Sequence, residues 1–282
     1  MNYLGYACIN MGFSSLPKSQ RITTNRTMIK RTFHDRGIEY ASELALQNLR
    51  DLHTILEWNL ENDIYFYRLS SDIIPWASEY NLTDMPNFGA IHAAALKAGN
   101  FARKHGMRLT SHPGPFNKLA SPKERVFELT KTDLSVHGDL FDLIGLPRTP
   151  YAKLNIHVGA AYGDKPFALD NFCRNFERLP ENVRTRLTVE NDDKASMWST
   201  QHLYDYIHQS IGIPIVHDVH HHKFCTGGLT DKEAMTLAVS TWGGVKPVIH
   251  YSQDRSVEYN DPKLRPQAHS DSYWTPVDTC LL

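Results

Sequence analysis

Apolar positions along this chain follow two alternating rhythms. Short runs of strand length recur at Tyr3–Cys8, Ile64–Ser71, Met107–His112, Lys153–Gly159, Arg186–Asn191, Ile213–Asp218 and Pro247–Ser252. Between them the apolar spacing is helical. Leu44, Ala45, Leu49, Leu52, Ile55, Leu56 and Leu60 recur three and four residues apart, which predicts a long amphipathic helix. Further helices are predicted from about Gly89 to Lys104, closed by Gly106, and from Pro122 or Glu124 to about Leu143. Others run over Pro166–Phe176, Ser199–Ser210 and Leu229–Trp242, the last N-capped by Thr230 or Asp231.

Strict alternation of strand and helix means βα units on a parallel sheet. Seven such units predict an α/β chain of the (β/α)₈ TIM-barrel type, a single domain over 1–282, with the eighth strand missing or divergent. A doubly wound open sheet is the alternative, but no GxGxxG follows the first strand. With 282 residues, 41% of them hydrophobic and 22% charged, the chain can bury a large core and is not disordered.

Charge and cysteine usage add two points. The net charge is −1, yet from Met1 to His34 there is no Asp or Glu, while Lys18, Arg21, Arg26, Lys30 and Arg31 all fall there. A local basic segment of this kind can meet phosphates although the whole chain is near neutral. A solvated basic loop is the plainer explanation. Cys8, Cys173, Cys225 and Cys280 form no CxxC pair, which argues against a zinc ribbon or a disulfide scaffold and fits a reducing, cytoplasmic compartment. No signal peptide and no transmembrane run is expected.

The candidate chemistry lies where the strands end. His112 closes the third strand, His157 lies near the end of the fourth, and Glu190 near the end of the fifth. Asp218 closes the sixth, with His221 just beyond, and the seventh carries His250. In a parallel barrel these ends share the face where chemistry is done. Carboxylates and imidazoles gathered there lose solvation and repel unless a cation compensates. That predicts a cluster of divalent metals, with mixed nitrogen and oxygen ligands favouring Mn, Zn, Fe or Co over Mg. Adjacent side chains in the run His220-His221-His222 diverge, so one or two are expected to be ligands and the others to lie behind them or at the surface. The residues leave two activities open. One is metal-dependent phosphodiester hydrolysis, which the basic loop favours, and the other is sugar isomerisation on a metal barrel.

Several segments in order resemble the UV damage endonucleases: LGYACIN (4–10), TTNRT (23–27), YRLSSDIIPWAS (67–78), SHPGPF (111–116), LNIHVGAAYG (154–163), LTVENDD (187–193), HDVHHH (217–222), VIHYS (248–252) and AHSDSY (268–273). The resemblance implies a TIM barrel bearing two or three divalent ions, usually manganese. It implies nicking of damaged double-stranded DNA immediately 5′ to a UV photoproduct, leaving a 3′-hydroxyl and a 5′-phosphate. His112, His157, Glu190, Asp218, His221 and His250 would be metal ligands, and His269 a further catalytic histidine beside Glu190, Asp218 and His250. Tyr6 and Asn10 would line the lesion face, with Asn25 and Arg26 near the DNA; no protein partner is implied.

The sequence departs from the family pattern at four places. Glu79 stands where the family has a metal-binding histidine. Pro115 and Phe116 replace a Gln and aromatic wedge, and an apolar wedge can still part a base step. Val248 replaces a lysine, and Lys246 is expected on the same strand face, about 6–7 Å further down by strand rise. The ending YWTPVDTCLL lacks the family's eighth-strand Glu. The main expectation is therefore a damage-directed endonuclease. A degenerate member that binds DNA but incises poorly and a sugar isomerase are the alternatives.

Overall fold

The expected alternation is present in the computed structural model, which describes residues 4–273 and 275. In chain order the elements are β1 (Gly5–Ala7), α1 (Met11–Ser14), α2 (Lys30–Glu61), β2 (Phe66–Leu69), α3 (Phe88–Lys104) and β3 (Arg108–Ser111). Next come α4 (Glu124–Ile144), β4 (Leu154–His157), α5 (Lys165–Phe176), α6 (Glu181–Arg184), β5 (Leu187–Glu190), α7 (Thr200–His202), a π-helical stretch (Leu203–His208) and α8 (Gln209–Ile211). β6 (Ile215–Asp218), α9 (Val219–His222), α10 (Asp231–Ser240), β7 (Ile249–His250) and α11 (Arg255–Glu258) complete the order. Strands follow one another in the sheet in chain order, and each described pairing is parallel.

The strands are shorter than their apolar runs. β7 keeps only two residues of the expected six, and Pro247, which has no N–H to give a ladder, lies outside it. Lys246 is therefore not on that strand; it is exposed before it. The helix expected over Ser199–Ser210 is interrupted by the π-helical turn. α11 and an antiparallel bridge between Asp254 and His269 were not foreseen from the apolar pattern. Tyr3, where the first strand is expected to begin, and residues 274 and 276–282, which include Cys280 and most of the YWTPVDTCLL ending, lie outside the described residues.

The chain forms two compact units. The first comprises 1–114, 128–154 and 179–186. In it β1, β2 and β3 pair in register Tyr6↔Tyr67 and Tyr67↔Leu109, and Ser111 meets Leu154. α2 presents Ala41, Ala45, Leu49, Leu52, Ile55 and Leu56 to the interior, all fully buried. Burial of each leucine or isoleucine contributes about 1.5–3 kcal/mol. Leu44 and Leu60 of the same pattern are half-buried at the edge of the stripe. The helix is broken at Gly37, whose φ of 65° takes it out of helical geometry. α3 packs through Ile91, Ala95, Ala98 and Ala102, and at Gly99 its backbone approaches the Ile144 carbonyl at the end of α4.

Arg108, the first residue of β3, and Arg186 are buried in this unit. Arg108 donates to the carbonyls of Tyr151 and Pro150. Arg186 donates to the carbonyls of Pro147, Gly138, Asn182 and Leu146, and pairs with Asp142 at 2.8 Å. A guanidinium with its donors satisfied in this way can stay charged in the interior.

The second unit comprises 115–127, 155–178 and 187–282. β5 and β6 pair in register Glu190↔Val216, and β6 meets β7 at Asp218↔His250. Ile156, Val158, Val189, Ile215 and Val216 fill the sheet, against Phe172, Leu203, Ile207, Ala234 and Ala238 from the helices. α10 starts as expected, with Thr230 and Glu233 forming a reciprocal capping box.

Candidate metal centre

In the second unit the strand ends bring acid and imidazole groups together. Glu190, the last residue of β5, and Asp218, the last residue of β6, are 2% and 3% exposed. His250 ends β7, and its Nδ1 lies 2.9 Å from Glu190 Oε2. One ligand atom each from Glu190, Asp218 and His250 falls within 4.8 Å of the other two, and the same holds for Asp218, His221 and His269.

Neighbouring amides and hydroxyls hold these groups in place. Asn155, two residues before His157 on β4, donates from Nδ2 to Glu190 Oε2 and accepts at Oδ1 from Thr188 (2.8 Å). Asn191 clamps Asp218 through the backbone: its Oδ1 accepts from Asp218 N–H (2.8 Å) and its Nδ2 donates to Asp218 O (3.0 Å). Asp218 Oδ1 accepts from His221 N–H (2.8 Å), capping α9. His221 Nδ1 donates to Asn191 O (2.9 Å), which leaves Nε2 as the lone-pair nitrogen. That Nε2 lies 3.0 Å from His269 Nε2, and His269 Nδ1 lies 2.5 Å from Ser252 Oγ. The array therefore runs from the Ser252 hydroxyl through His269 and His221 to a backbone carbonyl. None of Asn155, Thr188, Asn191, Asp192 or Ser252 was singled out from sequence. The available signal was polar residues inside strand-like apolar runs, with the acids of VENDD beside Glu190.

The electrostatics calls for positive charge. Burial, reinforced by the Glu190 charge, raises the Asp218 carboxyl to about 6, although His221 pulls the other way. Burial acts to lower His157, but Asp192, 3.0 Å from its Nδ1, and the charges of Glu190 and Asp218 outweigh it and hold the imidazole at about 9. Two buried carboxylates thus recruit protonated histidine. A divalent cation answers the same need, and the donor set of carboxylate oxygens and imidazole nitrogens matches such an ion. The residues fit a metal.

The remaining candidates are placed as follows. His112 stands one residue past β3 in the first unit, half-buried, with Nδ1 3.1 Å from Pro113 O. Glu79 is exposed at the end of a 3₁₀ turn (Ala77–Glu79) of that unit. Tyr6 on β1 donates to Asn59 (2.7 Å) and accepts from Asn10 Nδ2 (2.9 Å); burial raises its phenol pKa. Asn10 caps α1. Asn25 is exposed and reaches Cys8 O. The Arg26 guanidinium is engaged internally, with Asp51 (2.6 Å), Thr23 O and Arg21 O. It braces the loop against α2, and of the basic segment Lys18, Arg21, Lys30 and Arg31 remain exposed. In the second unit Pro115 is exposed and Phe116 is 86% exposed, a bare aromatic. Of HDVHHH, no histidine reaches the surface: His217, His220, His221 and His222 are all buried, because α9 turns back into the fold directly after β6. Val248 is buried and apolar.

Comparison with known proteins bears on this geometry. The family model described as UV-endonuclease UvdE matches residues 2–274. A UV-damage endonuclease of Schizosaccharomyces pombe is 34% identical over 281 residues, covering 95% of this chain and 45% of that one. The chain thus spans less than half the length of this fungal relative. The crystal structure of SacUVDE superposes with a TM-score of 0.81 at 30% identity, covering 96% of this chain and 85% of that one. A D-psicose 3-epimerase of Clostridium cellulolyticum H10 reaches a TM-score of 0.51 at 13% identity over 71% of this chain and 67% of its own, a likeness of fold alone. The α/β, TIM-barrel-type class expected from the alternation is the class of these neighbours.

Proposed function

The chain belongs to the UvdE family of UV endonucleases, and from this we propose that it is a metal-dependent DNA repair endonuclease that nicks the strand immediately 5′ to UV photoproducts and other distorting lesions. The observation that carries the metal dependence is the pair of buried carboxylates, Glu190 and Asp218, meeting His250 at the ends of adjoining strands. His112, His157, Glu190, Asp218, His221, His250 and Glu79 are the ligands of this reading, for two or three divalent ions, with manganese the metal the family resemblance implies. When bound, such ions acidify a water for attack on phosphorus and stabilise charge on the leaving 3′-oxygen.

The protein's own part is positioning. Asn155 holds the Glu190 carboxylate, Asn191 holds the Asp218 backbone and the His221 N–H holds the Asp218 carboxylate, so a metal meets ligands already oriented. Ser252 orients His269, which is exposed and can reach a phosphate that enters from solvent. Tyr6, Asn10 and Asn25 of the first unit are the lesion-facing residues of this reading, and the loop that Arg26 braces would offer Lys18 and Arg21 to flanking phosphates. Pro115 and Phe116 are the wedge: a bare aromatic can stack where a lesion has weakened base stacking. The epimerase likeness brings no sugar chemistry with it, because at 13% identity it is one of fold.

The test is incision of an end-labelled duplex carrying one UV photoproduct, with Mn²⁺ and with chelator. A single metal-dependent cut immediately 5′ to the lesion is expected. Binding without a cut, by folded and metal-loaded protein, would instead select the degenerate DNA-binding member.

A further inference from the structure

Beside the centre above lies a second group of ligand type with no part in it. His217 precedes Asp218 on β6, and consecutive strand residues face opposite sides of a sheet. The imidazole of His217 therefore points away from the carboxylate centre. It meets His222 from α9 and Asp231, the first residue of α10; one ligand atom from each of the three lies within 4.8 Å of the other two. We propose that His217, His222 and Asp231 form a separate, structural binding site for a divalent transition-metal ion such as Zn²⁺.

Four observations carry this. First, His217 is fully buried and His222 is 4% exposed, so two imidazoles have been taken out of water beside one carboxylate. Second, His222 Nε2 lies 3.1 Å from Leu229 O and must donate there, since a carbonyl only accepts; the neutral ring then keeps its lone pair on Nδ1. That Nδ1 is buried and has no hydrogen-bond partner, which is the state of a ligand atom awaiting a cation. Third, His217 has its outer partner already in place: Nδ1 lies 3.2 Å from Thr200 Oγ1, while Nε2 lies 2.9 Å from Asp231 Oδ1. With Nδ1–H given to the Thr200 hydroxyl oxygen, Nε2 keeps the lone pair a metal needs, and a ligating imidazole commonly donates its other N–H to an oxygen acceptor behind it. Fourth, Asp231 sits in the first turn of a ten-residue helix, where the helix dipole favours the ionised carboxylate that a metal requires.

Ligation needs the Nε2 lone pair of His217 turned toward the ion, so any proton shared between Nε2 and Asp231 Oδ1 is released to solvent as the metal–ligand bonds form, and the covalent chain is unchanged. Two imidazoles and one carboxylate suit Zn²⁺, with a solvent molecule as the fourth ligand beside the partly exposed Asp231. Such an ion would tie the end of β6, α9 and the start of α10 into one closed loop.

The probes are Zn²⁺ and Co²⁺ added to EDTA-stripped full-length protein, read by metal content per chain after dialysis and by the visible band of tetrahedral Co²⁺. Parent protein is compared with Asp231→Asn, His222→Gln and, for the other centre, Glu190→Gln. Asp231→Asn and His222→Gln are each expected to lose about one equivalent of metal and the tetrahedral band. Glu190→Gln is expected to keep that band and the Zn²⁺-induced rise in melting temperature that Asp231→Asn loses. Metal content and band unchanged in Asp231→Asn would overturn the site and leave an ordinary His–Asp pair. Asp231→Asn decides the case if His222→Gln does not fold, because Asp231 is partly exposed and its replacement is nearly isosteric. Neither outcome depends on incision of DNA, so failure here is distinguishable from failure of the endonuclease reading.

Discussion

Glu190 answers two demands at once. It is buried on β5 and must be compensated, and it is held by an amide and an imidazole that fix its direction. Glu190→Gln removes the charge and keeps the shape. Incision is expected to fall by about 10²–10³-fold or more, while affinity for a lesion-bearing duplex changes little; undiminished nicking would end the metal-ligand assignment. Phe116 makes the opposite kind of prediction. With 86% of its surface exposed it contributes almost nothing to folding, so Phe116→Ala should leave the melting temperature unchanged. Binding to damaged duplex should weaken by about 1–3 kcal/mol, the range for loss of one base–aromatic stack. An equal affinity by fluorescence anisotropy would remove it from the lesion face. Glu190, Asp218 and His250, which the structure brings together, could be picked out in the sequence because each stands at or near the end of an apolar run. Asn155, Asn191 and Ser252 could not, because an amide or hydroxyl carries no spacing signal and takes its meaning from a neighbour distant in sequence.

At the scale of elements, apolar periodicity located the long helices well. α2, α3, α4, α5 and α10 all cover the expected stretches, with Thr230 capping the last. Strand ends were less legible, since an apolar run continues past the last paired residue, as at β7. Helix packing depends on close approaches that a pattern cannot give. Gly99 lies where a Cβ would run into the Ile144 carbonyl, and backbone cannot retreat as a flexible side chain can. Gly99→Ala, although favourable for helix propensity, is expected to destabilise by about 1–3 kcal/mol through overpacking. Chemical denaturation gives the check, and a gain in stability would show that α3 can shift.

For the molecule as a whole, stability should depend on pH through the first unit's buried arginine. Burial alone would raise the Asp142 carboxyl, but hydrogen bonds from Arg148 and Arg186 outweigh it and hold it below the usual carboxylate range. A depressed carboxyl contributes stability that is complete above its unfolded pKa and is lost as pH falls through the folded value. Asp142→Asn should therefore destabilise at pH 7, by about 1–3 kcal/mol given the partial exposure of the carboxylate and its screening. The difference from the parent should shrink as pH falls through the acidic range. A difference that stayed constant from pH 7 to pH 3 would mean that the pair is not the source.

The sequence by itself determined the α/β class, the order of strands and helices, and the residues that close the strands. These follow from local periodicity and from the rule that parallel strands present their ends on one side. Tertiary structure decided which of those residues share a site. It separated His217 and His222 from the centre of Asp218 and His221, although all four lie within six consecutive residues, because strand pleat and the turn of α9 send neighbours to opposite sides. It also turned Arg26 from an outward charge into a brace for its loop. Direction and burial arise from contacts between distant segments, and those are absent from any local pattern of apolar and polar positions.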